Sequence, residues 1–94
     1  MRTLSLQSAV VASEQQVSSD LGGEAVILSL ADGTYYGLDA VGARVWELLQ
    51  RPSTVAELRD AVLREYEVEE EQCTRDLLVL LEQMMNAHLI KPVE

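Results

Sequence analysis

One cysteine and one histidine, Cys73 and His88, are the side chains in this sequence best suited to catalysis or to transition-metal binding. A thiol beside an imidazole can act as a nucleophile with its general base. Both residues fall on one predicted helix, fifteen positions apart. At 1.5 Å per residue that separation is about four helical turns, so the two side chains cannot touch. Two such ligands also fall short of the usual zinc set, and we expect Cys73 to be a buried structural residue.

The acidic and glycine-containing segments carry no stronger chemical signal. The acidic run Glu69–Glu71 lacks the interleaved Asp or Asn residues and the turn glycine of a calcium-binding loop. Negative charge is favourable at a helix N-terminus, where we expect this run to lie. The pair Gly22 and Gly23 gives neither a phosphate-binding loop nor a dinucleotide fingerprint. We therefore expect no metal, no cofactor and no catalytic activity in this chain.

The balance of acidic and basic residues indicates which classes of partner are unfavourable. Sixteen acidic residues against seven basic ones give a formal net charge of −9, and Lys91 is the only lysine. Nucleic-acid binders neutralise phosphates with clustered lysine and arginine, so this balance argues against DNA or RNA binding. A lone cysteine fits a reducing compartment, and no apolar stretch approaches the roughly 18 residues of a membrane span. We expect a single soluble, cytoplasmic domain spanning residues 1–94, with neither nucleic acid nor a membrane as its partner.

The first half of the chain is typical of β-strands, and its clearest feature is a predicted hairpin. Residues 24–30 and 34–38 form β-prone runs around a turn that contains Asp32 and Gly33. A three-residue loop ending in a left-handed glycine pairs Leu30 with Thr34, Leu28 with Tyr36 and Val26 with Leu38. Directly opposed residues share a face, so the core face carries Val26, Leu28, Leu30, Tyr36 and Leu38, and the other face carries Ile27, Ser29, Tyr35 and Gly37. A two-residue turn would shift this register and reverse part of the assignment.

The residues before the hairpin give weaker signals. Leu4, Leu6 and residues 10–12 form short β-prone stretches, and residues 18–20 with the glycine pair 22–23 predict a loop. The strand 34–38 is expected to lie at an edge of the sheet.

Three helices are predicted in the second half. Asp39 is a good N-cap for the first, Thr54 begins the second as a capping box with Glu57, and the third starts near Glu69. Trp46 on the first helix is expected in the core. One broad arc of the third helix, at 100° per residue, contains Cys73, Leu77, Leu80, Leu81, Met84 and His88. An arc this wide exceeds the need of one packing partner, so it could contact the core and a second partner at once.

A short extended tail, residues 89–93, follows the third helix. Together these elements predict an α+β fold: an N-terminal antiparallel β-sheet of about three strands followed by three helices, in a winged helix-turn-helix-like arrangement.

Several of these segments, in this order and spacing, resemble the PqqD-like family over residues 24–92. They are Gly33–Asp39, Gly42, Val45 and Trp46, Leu48 and Leu49, Thr54–Leu58, Tyr66–Val68, Asp76 and Leu77, Leu80 and Leu81, and Leu89 and Ile90. Members of this family are RiPP recognition elements, winged-helix-like domains that bind leader segments of ribosomally made precursor peptides. Two positions depart from the family pattern: Asp39 stands where Asn is frequent, and Ala87 with His88 precedes Leu89 where many members have a glycine.

The resemblance implies a mode of binding. In the family, the leader adds as an extra strand to the edge strand of the sheet and packs against the third helix, a form of recognition based on main-chain hydrogen bonds and side-chain pockets. Carried over to this chain, the edge would be Thr34, Tyr35, Tyr36 and Gly37, the groove wall Cys73, Asp76, Leu77, Leu80 and Met84, and the groove floor Val26 and Leu28. Asp76 could either meet a basic leader residue or cap local backbone.

The resemblance also implies partners. A chain of this size most resembles the small recognition protein of lasso-peptide pathways, which works beside a separate leader peptidase and a cyclase. A PqqD-type peptide chaperone for a radical-SAM enzyme is one alternative, a winged-helix DNA-binding regulator is another, and a structural subunit that binds only a partner enzyme is a third. The expected partners are thus the leader region of a precursor peptide and a separate leader peptidase or modifying enzyme.

Overall fold

Two three-stranded antiparallel sheets and three helices form the part of the chain that the computed structural model describes, residues 4–93. The elements in chain order are β1 (Ala9–Ala12), β2 (Gln16–Asp20), β3 (Ala25–Ser29), β4 (Tyr35–Leu38), α1 (Ala40–Leu48), β5 (Ser53–Thr54), α2 (Val55–Glu65), α3 (Glu70–Asn86) and β6 (Ile90–Pro92). One sheet has the order β2-β3-β4 and the other β5-β1-β6. The predicted α+β layout, strands first and then three helices, is confirmed.

The register of the β3–β4 hairpin differs by one residue from the predicted one. Ile27 lies opposite Tyr36, and the connecting loop has four residues, 30–33. The Gly33 N–H donates to the Ser29 carbonyl at 2.8 Å, and Gly33 has a φ of 74°, as expected for the turn glycine. The Asp32 carboxylate accepts the Thr34 N–H at 3.0 Å, which stabilises the longer loop. The predicted three-residue loop was therefore wrong.

This change of register exchanges the two faces of β3. Side chains alternate along a strand, so a shift of one residue moves each of them to the opposite face. Ile27 and Ser29 are fully buried on the core side, whereas Val26 and Leu28, which we had assigned to the core, are half-buried on the outer face. Leu30, also assigned to the core, lies in the loop and is 53% exposed. On β4 the predicted faces are correct, because Tyr36 and Leu38 pack against the core cluster and Tyr35 is exposed on the outer face.

The loop predicted at residues 18–20 is wrong, because these residues belong to β2. Ser18, Ser19 and Asp20 are exposed on a strand that pairs in register with β3 from Gln16 opposite Ser29 to Asp20 opposite Ala25. Their composition favours turns, but pairing with the hydrophobic strand β3 overrides this local preference. The predicted loop is limited to the residues after Asp20.

The second sheet joins the N-terminal strand β1 to the segment between α1 and α2 and to the tail after α3. Val10 pairs with Ser53 on β5 and with Pro92 on β6, so the extended tail predicted after the third helix becomes a paired strand. Val10, Leu89 and Ile90 are buried in the same core as the helices. The N-terminal strand β1 therefore pairs with β5 and β6 and does not cover the edge of β4.

Local capping signals correctly predicted the starts of the helices. Asp39 Oδ1 accepts the Gly42 N–H at 2.9 Å, and Thr54 with Glu57 forms a reciprocal capping box with distances of 3.1 and 2.8 Å. Glu69 is the N-cap of α3, and two glutamates follow in its first turn. Trp46 lies in the core, as predicted, and is 5% exposed.

Helix α3 ends at Asn86, before His88, which we had placed on the apolar arc of this helix. The Leu89 N–H donates to the Met84 carbonyl at 2.9 Å and the His88 N–H to the Met85 carbonyl at 3.1 Å, the pattern of a Schellman motif. His88 occupies the left-handed position with a φ of 62° and is exposed. The buried side chains of Met84 and Leu89 complete the motif. The turn therefore takes His88 out of the helix and off the arc.

Replacing His88 by glycine should stabilise the domain. We expect the free energy of unfolding to rise by about 0.5–1 kcal/mol, because glycine adopts a positive φ without the steric cost that a Cβ brings. Urea denaturation monitored by circular dichroism measures the change. His88→Ala is the control, since alanine keeps the Cβ, and an equal gain in both variants would contradict the explanation.

Candidate functional site

Strand β4 presents one unpaired edge to solvent. It is the last strand of the sheet β2-β3-β4 among residues 4–93. The Ser29 N–H donates to the Thr34 carbonyl at 2.9 Å. This bond determines which residues of β4 direct their main-chain groups toward β3 and which direct them away from it. Antiparallel pairing then directs the main-chain groups of Tyr36 and Leu38 toward β3 and those of Tyr35 and Gly37 away from it. The N–H and C=O groups of Tyr35 and Gly37 are thus available to an added strand.

A groove of about 370 Å³ begins at Leu38, the last residue of β4, and lies between the start of α1 and the first half of α3. Most of the residues around it are apolar. They are Leu38, Asp39, Val41, Gly42, Val45, Val62, Val68, Gln72, Cys73, Asp76, Leu77 and Leu80. An extended segment on the edge of β4 could therefore place side chains against a concave, mainly apolar surface.

Four of the predicted site residues on α3 come together in this groove. Cys73, Asp76, Leu77 and Leu80 follow helical spacing on one side of α3. Cys73 and Leu77 are buried at 8% and 5% exposure, while Asp76 is exposed and Leu80 half-buried. Burial raises the pKa of the Cys73 thiol above its usual value. The thiol is therefore protonated at neutral pH and behaves as a small apolar group.

Three other predicted site residues lie outside the groove. Met84, assigned to the groove wall, is 3% exposed in the core, one helical turn beyond Leu80. Val26 and Leu28, assigned to the groove floor, do not line it and lie on the outer face of β3. Val26 and Leu28 face away from the helices because the register of the hairpin differs by one residue from the predicted one.

The predicted residues of the edge itself differ in exposure. Thr34 precedes β4 and is exposed, Tyr35 is 68% exposed, and Gly37 is exposed. Tyr36 is half-buried and packs against the core cluster. This strand thus has one side anchored in the core while its edge is open.

The groove also contains residues that sequence reasoning did not include in the site. The first turns of α1 contribute Val41, Gly42 and Val45, next to Leu38 at the end of β4. A Cβ at Gly42 would approach Leu38 Cβ and Asp39 Oδ1 to 3.3 Å, so glycine allows the helix to start close to the strand. The sequence contained one signal of this close approach, a glycine inside a predicted helix at position 42. Glycine is unfavourable there unless packing requires it. Val62, Val68 and Gln72 had no comparable signal.

No metal centre or membrane-spanning element is found in the described range. Between residues 4 and 93, no group of three or more His, Cys, Asp or Glu side chains is arranged to hold a metal ion. In the same residues no helix combines the length and apolar composition needed to cross a bilayer.

Comparison with known proteins places the chain in a family. Residues 24–90 match the family model described as coenzyme PQQ synthesis protein D, PqqD. The chain belongs to the PqqD family. The matched span of this PqqD-family domain contains β3, β4 and all three helices, hence both the open edge and the groove. The comparison with curated protein sequences gave no match.

Two solved structures are similar to this PqqD-family domain over almost their whole length. TbiB1, in complex with the TbiA(β) leader peptide, is 38% identical, with a TM-score of 0.81 over 89% of this chain and 98% of TbiB1. A lasso peptide synthetase B1 complexed with its leader peptide is 20% identical, with a TM-score of 0.75 over 88% of this chain and 98% of that one. The second likeness concerns the fold alone.

Proposed function

We propose that this PqqD-family domain binds the leader segment of a ribosomally made precursor peptide and adds it as a strand to the free edge of β4. The observation that carries the proposal is the open edge at Tyr35 and Gly37 beside an apolar groove of about 370 Å³. The 38% identity to TbiB1, which was solved with a leader peptide, supports it.

The edge of β4 and the groove contribute to peptide binding in different ways. Main-chain hydrogen bonds from Tyr35 and Gly37 hold any extended segment irrespective of its sequence. The groove residues Leu38, Val41, Leu77 and Leu80 select apolar side chains on alternate positions of that segment. A leader segment that is disordered when free loses conformational entropy on binding, so both terms are needed to offset this cost.

The sheet has a second free edge, on β2, but its surroundings are less suitable. Ser18, Ser19 and Asp20 on β2 are exposed and polar, and the depression next to them contains Arg44 and Glu47 of α1. An added strand there would find charged groups where β4 offers apolar side chains. We therefore assign the leader to β4 and use β2 as an internal control in the experiments below.

The biological role that we propose is recruitment. A bound leader raises the local concentration of the precursor at a separate leader peptidase or modifying enzyme, as in lasso-peptide pathways. The proposed mechanism breaks no bond in this domain. Delivery to a radical-SAM enzyme would use the same site, and the family description, PQQ synthesis protein D, keeps this partner as the second candidate.

Occupation of the groove should protect Cys73, the only cysteine, from thiol reagents. The ligand is the TbiA(β) leader peptide, or a peptide selected from a displayed library of random sequences if its affinity is too low. We expect saturating peptide to slow the reaction of Cys73 with a thiol reagent at pH 8 by at least about tenfold, because the bound peptide would lie over the groove that Cys73 lines. Absorbance of the released chromophore gives the rate.

The control for this experiment moves the thiol to the other edge of the sheet. In the double variant Cys73→Ser with Ser18→Cys, the new thiol lies on β2, and its labelling rate should not respond to peptide. Protection of the thiol on β2, with none at Cys73, would contradict the assignment of the leader to β4.

A further inference from the structure

The residues that line the groove carry negative charge and no positive charge. Of these twelve residues, Asp39 and Asp76 are acidic and none is basic. Burial raises the pKa of the Cys73 thiol, and Arg59 is close enough for its charge to oppose that rise. The Arg59 guanidinium, however, pairs with Asp60 and Glu70. Asp39 Oδ1 accepts the Gly42 N–H, so this carboxylate is engaged in the cap of α1. Asp76 is exposed on α3, between Cys73 and Leu80 along the same side of the helix. It is therefore the acidic group of the groove best placed to contact a bound ligand.

The contacts of Asp76 argue against one of the two roles that the sequence left open, the capping of local backbone. Asp76 Oδ1 accepts a hydrogen bond from Gln72 Nε2 at 2.9 Å, one turn earlier on α3. Within residues 4–93 no backbone N–H donates to this carboxylate, so it caps no local backbone. None of the ion pairs formed in that range includes it, and the neighbouring Arg75 donates to Gln72 Oε1 instead. A carboxylate offers about four acceptor positions, so Asp76 keeps capacity for a ligand cation.

We propose that the leader segment carries a lysine or arginine that lies against Asp76, at a fixed distance in sequence from the apolar side chain seated between Leu77 and Leu80. This inference rests on the proposed function and adds the chemical class of the ligand. A peptide lying in the groove excludes water from its surroundings, which strengthens the attraction between opposite charges there. The net charge of −9 also attracts a basic segment during encounter.

Selection from a displayed library of random linear peptides tests the proposal without knowledge of the natural precursor. We expect peptides selected on the wild-type chain to show lysine or arginine at one fixed position, enriched at least about fivefold over the library. Selection on Asp76→Asn should lose this enrichment, and selection on Asp76→Arg should replace it by aspartate or glutamate at the same position. Glu71→Gln is the matched control, since Glu71 is exposed on α3 outside the groove.

A double-mutant cycle then measures the contact directly. For one selected peptide, Asp76→Asn is expected to weaken binding by about 3- to 10-fold, while the same substitution should have no effect on a peptide whose basic residue is replaced by glutamine. Isothermal titration calorimetry at low and high salt supplies the four affinities, and the coupling should decrease with salt.

The possible outcomes separate this inference from the proposed function. Peptides that protect the amides of Tyr35 and Gly37 but carry no fixed basic position, or keep it on Asp76→Asn, overturn the inference and leave leader binding at β4 intact. Selected peptides that do not engage β4 at all overturn both. Charge reversal on Asp76→Arg together with a measurable coupling supports the contact.

Discussion

Replacing Tyr35 by proline is expected to weaken leader-peptide binding by at least about fivefold while the domain stays folded. Proline has no N–H, and the N–H of Tyr35 points away from β3 toward the position of the added strand. The peptide carbonyl opposite it would lose its donor in a partly dehydrated site, at a cost of about 1–3 kcal/mol, and the proline ring would obstruct the approach of the strand. Titration calorimetry measures the affinity, and circular dichroism reports the fold.

Two further proline substitutions control this experiment. Ser18→Pro removes an outward-pointing N–H from the free edge of β2, where the alternation of the ladder places it, and should leave peptide affinity unchanged. Tyr36→Pro removes an N–H that pairs with β3 and should destabilise the sheet. Equal loss of affinity in the Tyr35 and Ser18 variants would mean that binding does not depend on the edge of β4.

Substitutions of two adjacent leucines of α3 are expected to affect different properties, folding stability at Leu81 and peptide affinity at Leu80. Leu81 is fully buried in the core, and Leu81→Ala should lower the free energy of unfolding by about 2–5 kcal/mol. This is a large part of the stability of a small domain, about 5–15 kcal/mol in general, so substantial unfolding near physiological temperature is expected. Urea denaturation of this variant beside the wild type gives the difference.

Leu80 lies in the groove and is half-buried, so Leu80→Ala should cost at most about 1 kcal/mol of stability. Its effect should appear in binding, where the lost contact with an apolar leader side chain weakens affinity by about 5- to 30-fold. Calorimetric titration of the folded variant tests this. An affinity equal to that of the wild type would show that the leader does not contact this side of α3.

The features predicted correctly from the sequence are those determined by neighbouring residues. The caps at Asp39 and Thr54 each depend on side chains within three positions, so their pattern is readable directly. The apolar spacing of α3 likewise predicted that Cys73 and Leu77 would face inward. These local signals were sufficient to predict the three helices and the β3–β4 hairpin, whereas the strands β2 and β5 were not predicted.

The errors concern features that depend on distant residues or on a single loop position. The four-residue loop closed at Gly33 shifted the hairpin by one residue, which removed Val26 and Leu28 from the expected site. The groove depends on how α1 approaches α3, and residues such as Val41 and Val68 show no sequence pattern that distinguishes a groove from a core. Their contribution to a site could be recognised only from their positions in space.

Amide hydrogen exchange, followed by NMR on the uniformly ¹⁵N-labelled chain, tests strand addition most directly. Saturating leader peptide should slow exchange of the Tyr35 and Gly37 amides by at least about 100-fold, because they become donors in a new ladder, while the outward amides of Gln16, Ser18 and Asp20 on β2 keep their rates. Unchanged exchange at Tyr35 and Gly37 in the peptide-bound state would contradict the account, however tight the binding.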